Sequence, residues 1–191
     1  MNKWKIAFFT LATAVLITFA AVVYLIVAPV DQERVQAPLE AEGNVLVVET
    51  TAKEFEAIAK QYLGEAMNTS PLPVELTVAE DVVIASELTV FSVDVPIRMH
   101  FDPIVERGNI VMKQTAVHVG KLNIPPKTVL KLMSDAIPFP DWITVQPNDE
   151  KIYVDLSRIN IAAGSRVRAK EIDLANDKIL LEIIVPTVGV K

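Results

Sequence analysis

Residues 93–119 read VDVPIRMHFDPIVERGNIVMKQTAVHV, and this stretch decides the fold. Its apolar side chains recur at every second position: Val93, Val95, Ile97, Met99 and Phe101 share one face, opposite Asp94, Arg98 and His100. Successive side chains of an extended chain point to opposite sides, so this period predicts half-buried strands. Glu106-Arg107-Gly108-Asn109 has the composition of a tight turn, and Ile110–Val119 follows it as a further strand. The pattern predicts long antiparallel strands in a meander. Pro96 has no N–H to give to a ladder and predicts an edge, a bulge or a bend.

Upstream, Val82, Ile84, Leu88 and Val90 alternate with Val83, Ala85 and Glu87 as another strand. Before it, Thr51-Ala52-Lys53-Glu54 forms a capping box, with the Thr hydroxyl serving an orphan N–H and Glu54 reaching back. Phe55, Ile58, Ala59, Tyr62, Leu63 and Ala66 then make one stripe of 3.6-residue period, which predicts an amphipathic helix over Thr51–Met67. Asn68 to Pro73 stops it, and Asn44–Glu49 precedes it as a short strand. Downstream, Pro125-Pro126 opens a second helix running to about Ala136. Arg166–Leu174 and Lys178–Val185 pair as a hairpin across Ala175-Asn176-Asp177. The last strand is apolar on both faces, so it is expected to be covered on both.

Ile6–Val27 carries no charged side chain. At about 1.5 Å per residue a helix of this length crosses a hydrocarbon core of about 30 Å. Lys3 and Lys5 precede it, which keeps residues 1–5 cytoplasmic and the rest of the chain outside. Trp4 and Tyr24 lie near the ends, at headgroup level. A cleaved signal peptide is the competing reading, but the apolar run is longer than such a core and Ala28-Pro29 is a poor cleavage site. The expectation is a signal anchor at 6–27, a linker at 28–43 with Pro29, Pro38 and four acids, and an extracytoplasmic α+β domain at 44–191.

Two of the 18 basic residues and none of the 24 acids lie in the first 30 positions, so residues 31–191 carry a net charge of −8. That balance argues against nucleic acid, whose binding needs clustered Lys and Arg. The chain has no cysteine, which removes disulfides, thiolate chemistry, Cys-bound zinc and lipid acylation at a lipobox. Its six glycines are too scattered for a phosphate loop. No serine lies in a context that activates a hydroxyl. His100-Phe101-Asp102 puts imidazole and carboxylate on one strand face, a spacing that a metal or acid–base site uses, but ordinary hydrogen-bonded histidines fit it as well. No catalytic residue, cofactor or metal is expected.

Arg166, Arg168 and Lys170 alternate along one strand face. Either they pair with acids of the neighbouring strand, or Arg166 and Arg168 contact phosphate headgroups at the membrane-facing rim. Ile137–Ile143 is rich in proline and apolar rings; Phe139, Trp142 and Ile143 read as a membrane-touching or lid loop, or as core under the sheet.

The Met1–Lys5 start with its apolar run, the capped helix around Phe55–Leu63, the Pro96-Ile97 strand and the segment from Val117-His118-Val119-Gly120 to Leu130 resemble the YpmS-type family of uncharacterised single-span extracytoplasmic proteins of Bacillota. That resemblance implies no catalytic or binding residues. A looser one, carried by the long strands, the Gly120-x-Leu122-x-Ile124-Pro125 break and the helix with Val129-Leu130, is to tubular lipid-binding and AsmA-like envelope proteins. It implies curved strands wrapping a helix around an acyl-chain groove. The chain is short for a tube, which favours a half-tube or open groove.

The expected architecture is α+β: an N-terminal transmembrane helix, then a curved antiparallel sheet wrapping a long amphipathic helix. The expected function is non-enzymatic binding of a lipid or lipid-linked envelope component, in a groove lined by Phe55, Ile58, Tyr62, Val95, Ile97 and Met99. The alternative is a scaffold docking an envelope enzyme or membrane protein. An envelope hydrolase is a third reading and lacks an activated nucleophile.

Overall fold

The computed structural model describes residues 3–27, 43–69, 73–90, 93–159, 161 and 164–186. Apart from Gly43, the expected linker lies outside the described residues. The chain divides into two compact units, Met1–Asp31 and Gln32–Lys191.

The first unit holds helix α1, Lys3–Val27. Its large apolar side chains are exposed, Phe8, Leu16 and Phe19 each by about two thirds. Among the described residues no helix is long and apolar enough to cross a membrane.

The second unit is α+β. In chain order it runs β1 (Asn44–Thr50), α2 (Ala52–Thr69), β2 (Val74–Val78), β3 (Val82–Val90), β4 (Val93–Glu106), β5 (Asn109–Val119), α3 (Pro126–Ala136), β6 (Ile143–Gln146), β7 (Lys151–Val154), β8 (Arg166–Asp173) and β9 (Lys178–Val185). The expected single sheet is two antiparallel ones: a three-stranded sheet of order β1-β9-β8 and a six-stranded sheet of order β2-β3-β4-β5-β7-β6. The first strand pairs with the last, Asn44 opposite Val185 and Thr50 opposite Ile179.

Local chemistry explains the joints. Arg107 and Gly108, at φ 52° and 80°, occupy the left-handed region, as both central residues of a tight hairpin turn must. A Cβ at Gly108 would stand 3.0 Å from the Arg168 Cδ, so the turn and β8 are in close contact there. The Ala169 N–H donates to the Gly108 carbonyl at 2.8 Å. Pro96 makes no edge, since β4 is interior to its sheet. Its carbonyl accepts from the Gly120 N–H where β5 ends, so the missing proline donor falls at the end of that ladder. The irregularity in β4–β5 lies instead at His100/Phe101, opposite Ala116 and Gln114, with Thr115 as the extra residue.

Residues directly opposite in an antiparallel pair share a face. On the six-stranded sheet, Leu76, Ile84 and Met99 therefore lie on one side, as do Met112, Ile152 and Val145. All six belong to the main core cluster or pack against it, together with Val129, Leu130 and Met133 of α3. A second cluster of Ile110, Leu156 and Ala169 takes in Val105, Val167 and Leu181, which joins the two sheets.

Candidate functional site

Helix α2 is fastened at its first turns. The Glu54 N–H donates to the Thr51 hydroxyl at 3.2 Å and the Thr51 N–H to the Glu54 carboxylate at 3.3 Å, the reciprocal capping box. The Thr51 N–H, with the Thr50 and Thr51 hydroxyls, holds the Glu54 carboxyl below the usual carboxylate range. The Ala52 N–H donates to the Asp177 carboxylate, just ahead of β9, at 2.7 Å. Glu56 accepts from the Val78 N–H at 2.8 Å and from Lys60 at 2.6 Å, and both lower its pKa, Lys60 first. These bonds fix the roll of the helix, so that its apolar stripe faces inward.

Between that stripe and the two sheets lies a cavity of about 450 Å³. From α2 it is lined by Phe55, Ile58, Ala59, Gln61, Tyr62 and Leu63. The six-stranded sheet contributes Leu76, Val78, Val82 and Ile84 on β2–β3, and Ile110, Met112, Ile152 and Val154 on β5 and β7. The three-stranded sheet contributes Val48, Val167, Ile179, Leu181 and Ile183. None of the lining residues is charged, and Gln61 is the one amide among them. Such a surface offers water few hydrogen-bond partners, and cavities of this kind take up apolar molecules.

Three of the six expected groove residues, Phe55, Ile58 and Tyr62, line this cavity. The other three do not. Val95, Ile97 and Met99 lie on the same sheet face as Ile84, but Ile97 and Met99 are buried and Val95 packs against them. The buried side of α3 belongs to the same cluster. The cavity is lined instead by β2, β3, β5 and β7, and the alternation of β3 marked that strand's face as apolar without telling what covers it. The inward face of β9 was the other available signal.

Phe139, Trp142 and Ile143 also line the cavity. Phe139 and Trp142 are half-buried and Ile143 is buried, so they form an inner wall and not an outward patch. Arg166 donates to the Ser157 carbonyl. Arg168 lies 2.7 Å from Glu182 on β9 and Lys170 3.6 Å from the same carboxylate. The Arg168 guanidinium lowers the Glu182 pKa. The pairing with acids of the neighbouring strand is thus in place for Arg168, and both arginines have protein partners.

His100 Nδ1 stands 2.7 Å from Asp81, not from Asp102, and its ring meets His118 edge-on at 5.8 Å between centroids. Among the described residues no group of three metal-ligating side chains occurs.

Residues 2–185 match the model of a family described as an uncharacterized protein conserved in bacteria (DUF2140). The chain belongs to this family. It is also 31% identical over 180 residues to the uncharacterized protein YpmS of Bacillus subtilis (strain 168), across 94% of this chain and 95% of that protein. No solved structure matches.

Proposed function

We propose that this protein is anchored by Ile6–Val27 in the cell membrane, faces the envelope, and binds the acyl part of a lipid or lipid-linked envelope precursor without chemically changing it. One observation carries the reading: an uncharged cavity of about 450 Å³ between α2 and the two sheets. Its volume falls in the range of ~300–1,000 Å³ common for small-molecule sites. The anchor rests on the charge-free run and on an α1 that is apolar all round, a pattern that suits lipid or a buried core and no other surroundings. The Lys3 and Lys5 flank sets the direction.

Two measurements test it. Native mass spectrometry of the full chain extracted in mild detergent is expected to show a co-purifying lipid mass. A bare polypeptide mass, in protein that also fails to take up added lipid, would refute lipid binding. Carbonate washing of membranes tests the anchor, and release of the protein into the wash would refute it.

A second reading has its own observation. On β1 the side chains of Val45, Leu46, Val47 and Val48 are 48%, 56%, 54% and 38% exposed. An apolar edge strand is a ready surface for another protein. A scaffold role predicts a stoichiometric protein crosslinked through position 45 or 47.

A further inference from the structure

We propose that the cavity admits a single acyl chain, tail first, through an opening between α2 and β1, and leaves the polar head of its ligand outside. This rests on the lipid reading above and narrows it to ligands with one chain, or to one chain of a larger lipid.

The cavity measures about 450 Å³. A dry apolar cavity of about 150 Å³ takes up a benzene, with six carbons, so by the same measure this space holds about eighteen carbons. That is one chain of the length common in membranes. A second chain on the same lipid has nowhere to go and stays in water or in the bilayer.

The opening follows from the exposure of the lining. Most lining residues are buried or half-buried, but Val48, Ile58 and Tyr62 line the cavity and are also 38%, 47% and 39% exposed. Val48 is on β1, and Ile58 and Tyr62 lie one helical turn apart on α2, so the three mark a gap between that strand and the helix. Gln61, the lone amide of the lining, is next to Tyr62. Polar groups that can meet the first atoms of a head group are therefore grouped at the mouth. Farther in, the walls offer a carboxylate, phosphate or ammonium no countercharge, and a buried unpaired charge is strongly disfavoured.

The test uses the full chain in a sterol-based detergent, whose rigid rings do not imitate an acyl chain. Saturated monoacylglycerols of increasing length are titrated and followed by displacement of a fluorescent fatty acid, with native mass spectrometry for stoichiometry. Affinity is expected to rise by up to fourfold per methylene, the factor equivalent to burying one such group, and to level off at about eighteen carbons at one ligand per chain. Ala59→Trp, which fills the space, is expected to shift the plateau by several carbons. Ile58→Glu, at an exposed position that does not challenge folding, is expected to weaken binding at least tenfold for every length.

Three results overturn the proposal. Affinity that climbs unchanged beyond twenty carbons, or two-chain phosphatidylglycerol bound at least as tightly with both chains protected, would refute the single-chain limit and leave lipid binding standing. Equal affinity in the Ile58→Glu protein would refute the opening. No binding of either lipid class would refute the lipid reading itself.

Discussion

Asn109 donates a hydrogen bond of 2.6 Å from its side-chain amide to the hydroxyl of Tyr153, at a site where Asn109 is 1% exposed. Its carbonyl oxygen accepts from the Leu156 N–H at 2.9 Å. One side chain thus ties the β4–β5 turn to β7 and to the short helical turn at Leu156–Arg158. That turn also holds Leu156 of the cluster joining the two sheets. The Asn109→Ala protein leaves the Leu156 N–H and the Tyr153 hydroxyl buried without partners. It is expected to lose about 2–4 kcal/mol of stability in urea unfolding, against about 1 kcal/mol for Tyr153→Phe. Equal losses would show that the amide does not hold both groups.

Gln114 lies opposite Phe101, and both atoms of its side-chain amide are buried without a hydrogen-bond partner among the described residues. An unsatisfied buried amide costs about 1–3 kcal/mol. Gln114→Met keeps the length of the side chain and removes the polar atoms. It is expected to raise the urea midpoint with an unchanged slope. A lower midpoint would mean that the amide is satisfied in solution.

Stability is expected to fall as pH drops below about 4. Glu54 is held below the usual carboxylate range by its capping bonds, Glu56 by Lys60 and the Val78 N–H, Asp173 by the Asn176 amide groups, and Glu182 by Arg168. For each, the unfolded chain takes up a proton more readily than the folded one. Their contribution is complete above the ordinary carboxylate pKa of about 4 and is lost as pH drops through the lower folded values. Urea midpoints at pH 7, 4 and 3 check this, and the decline is expected to be shallower in Glu56→Gln.

The opposite limb belongs to Tyr153, whose pKa burial pushes up. Its contribution is complete below the ordinary phenol pKa of about 10 and is lost as pH rises through the raised value. Tyr153→Phe is expected to remove that alkaline decline, read from midpoints at pH 9, 10 and 11.

Among the described residues, strand β1 has a free outer edge with apolar side chains on both faces, and no lysine, proline or bulge within the strand protects it. Such edges promote strand-to-strand association. Val47→Lys is expected to lower concentration-dependent association in light scattering without a change in the unfolding midpoint larger than about 0.5 kcal/mol, since Val47 is 54% exposed.

Much of this arrangement was legible in the order of residues, where the controlling physics is local. The Thr51–Glu54 capping box, the Glu106–Asn109 turn with its two left-handed residues and the β8–β9 hairpin each depend on a few neighbouring groups. The inward stripe of α2 was equally readable, because a period of 3.6 names its own face. The site was only half legible. Alternation in β4 placed Met99 on the correct face, but a period of two is silent on what lies above that face. α3 shares the core of Ile97 and Met99, while residues of α2 line the cavity. The division into two sheets was hidden for the same reason, since pairing partners far apart in sequence leave no local mark.

The pairing of the first strand with the last has a bearing on biogenesis. Asn44 opens the domain, yet its partner Val185 lies at the far end of β9. Until β9 arrives, β1 has no ladder to join and β8 no neighbour in its sheet. Closure of so long a loop is slow compared with local hairpins. The six-stranded meander is therefore expected to assemble first, and the hollow to be closed only when β9 joins β1. A chain stopped before Lys178 would leave the cavity walls on β5 and β7 without their cover from β9.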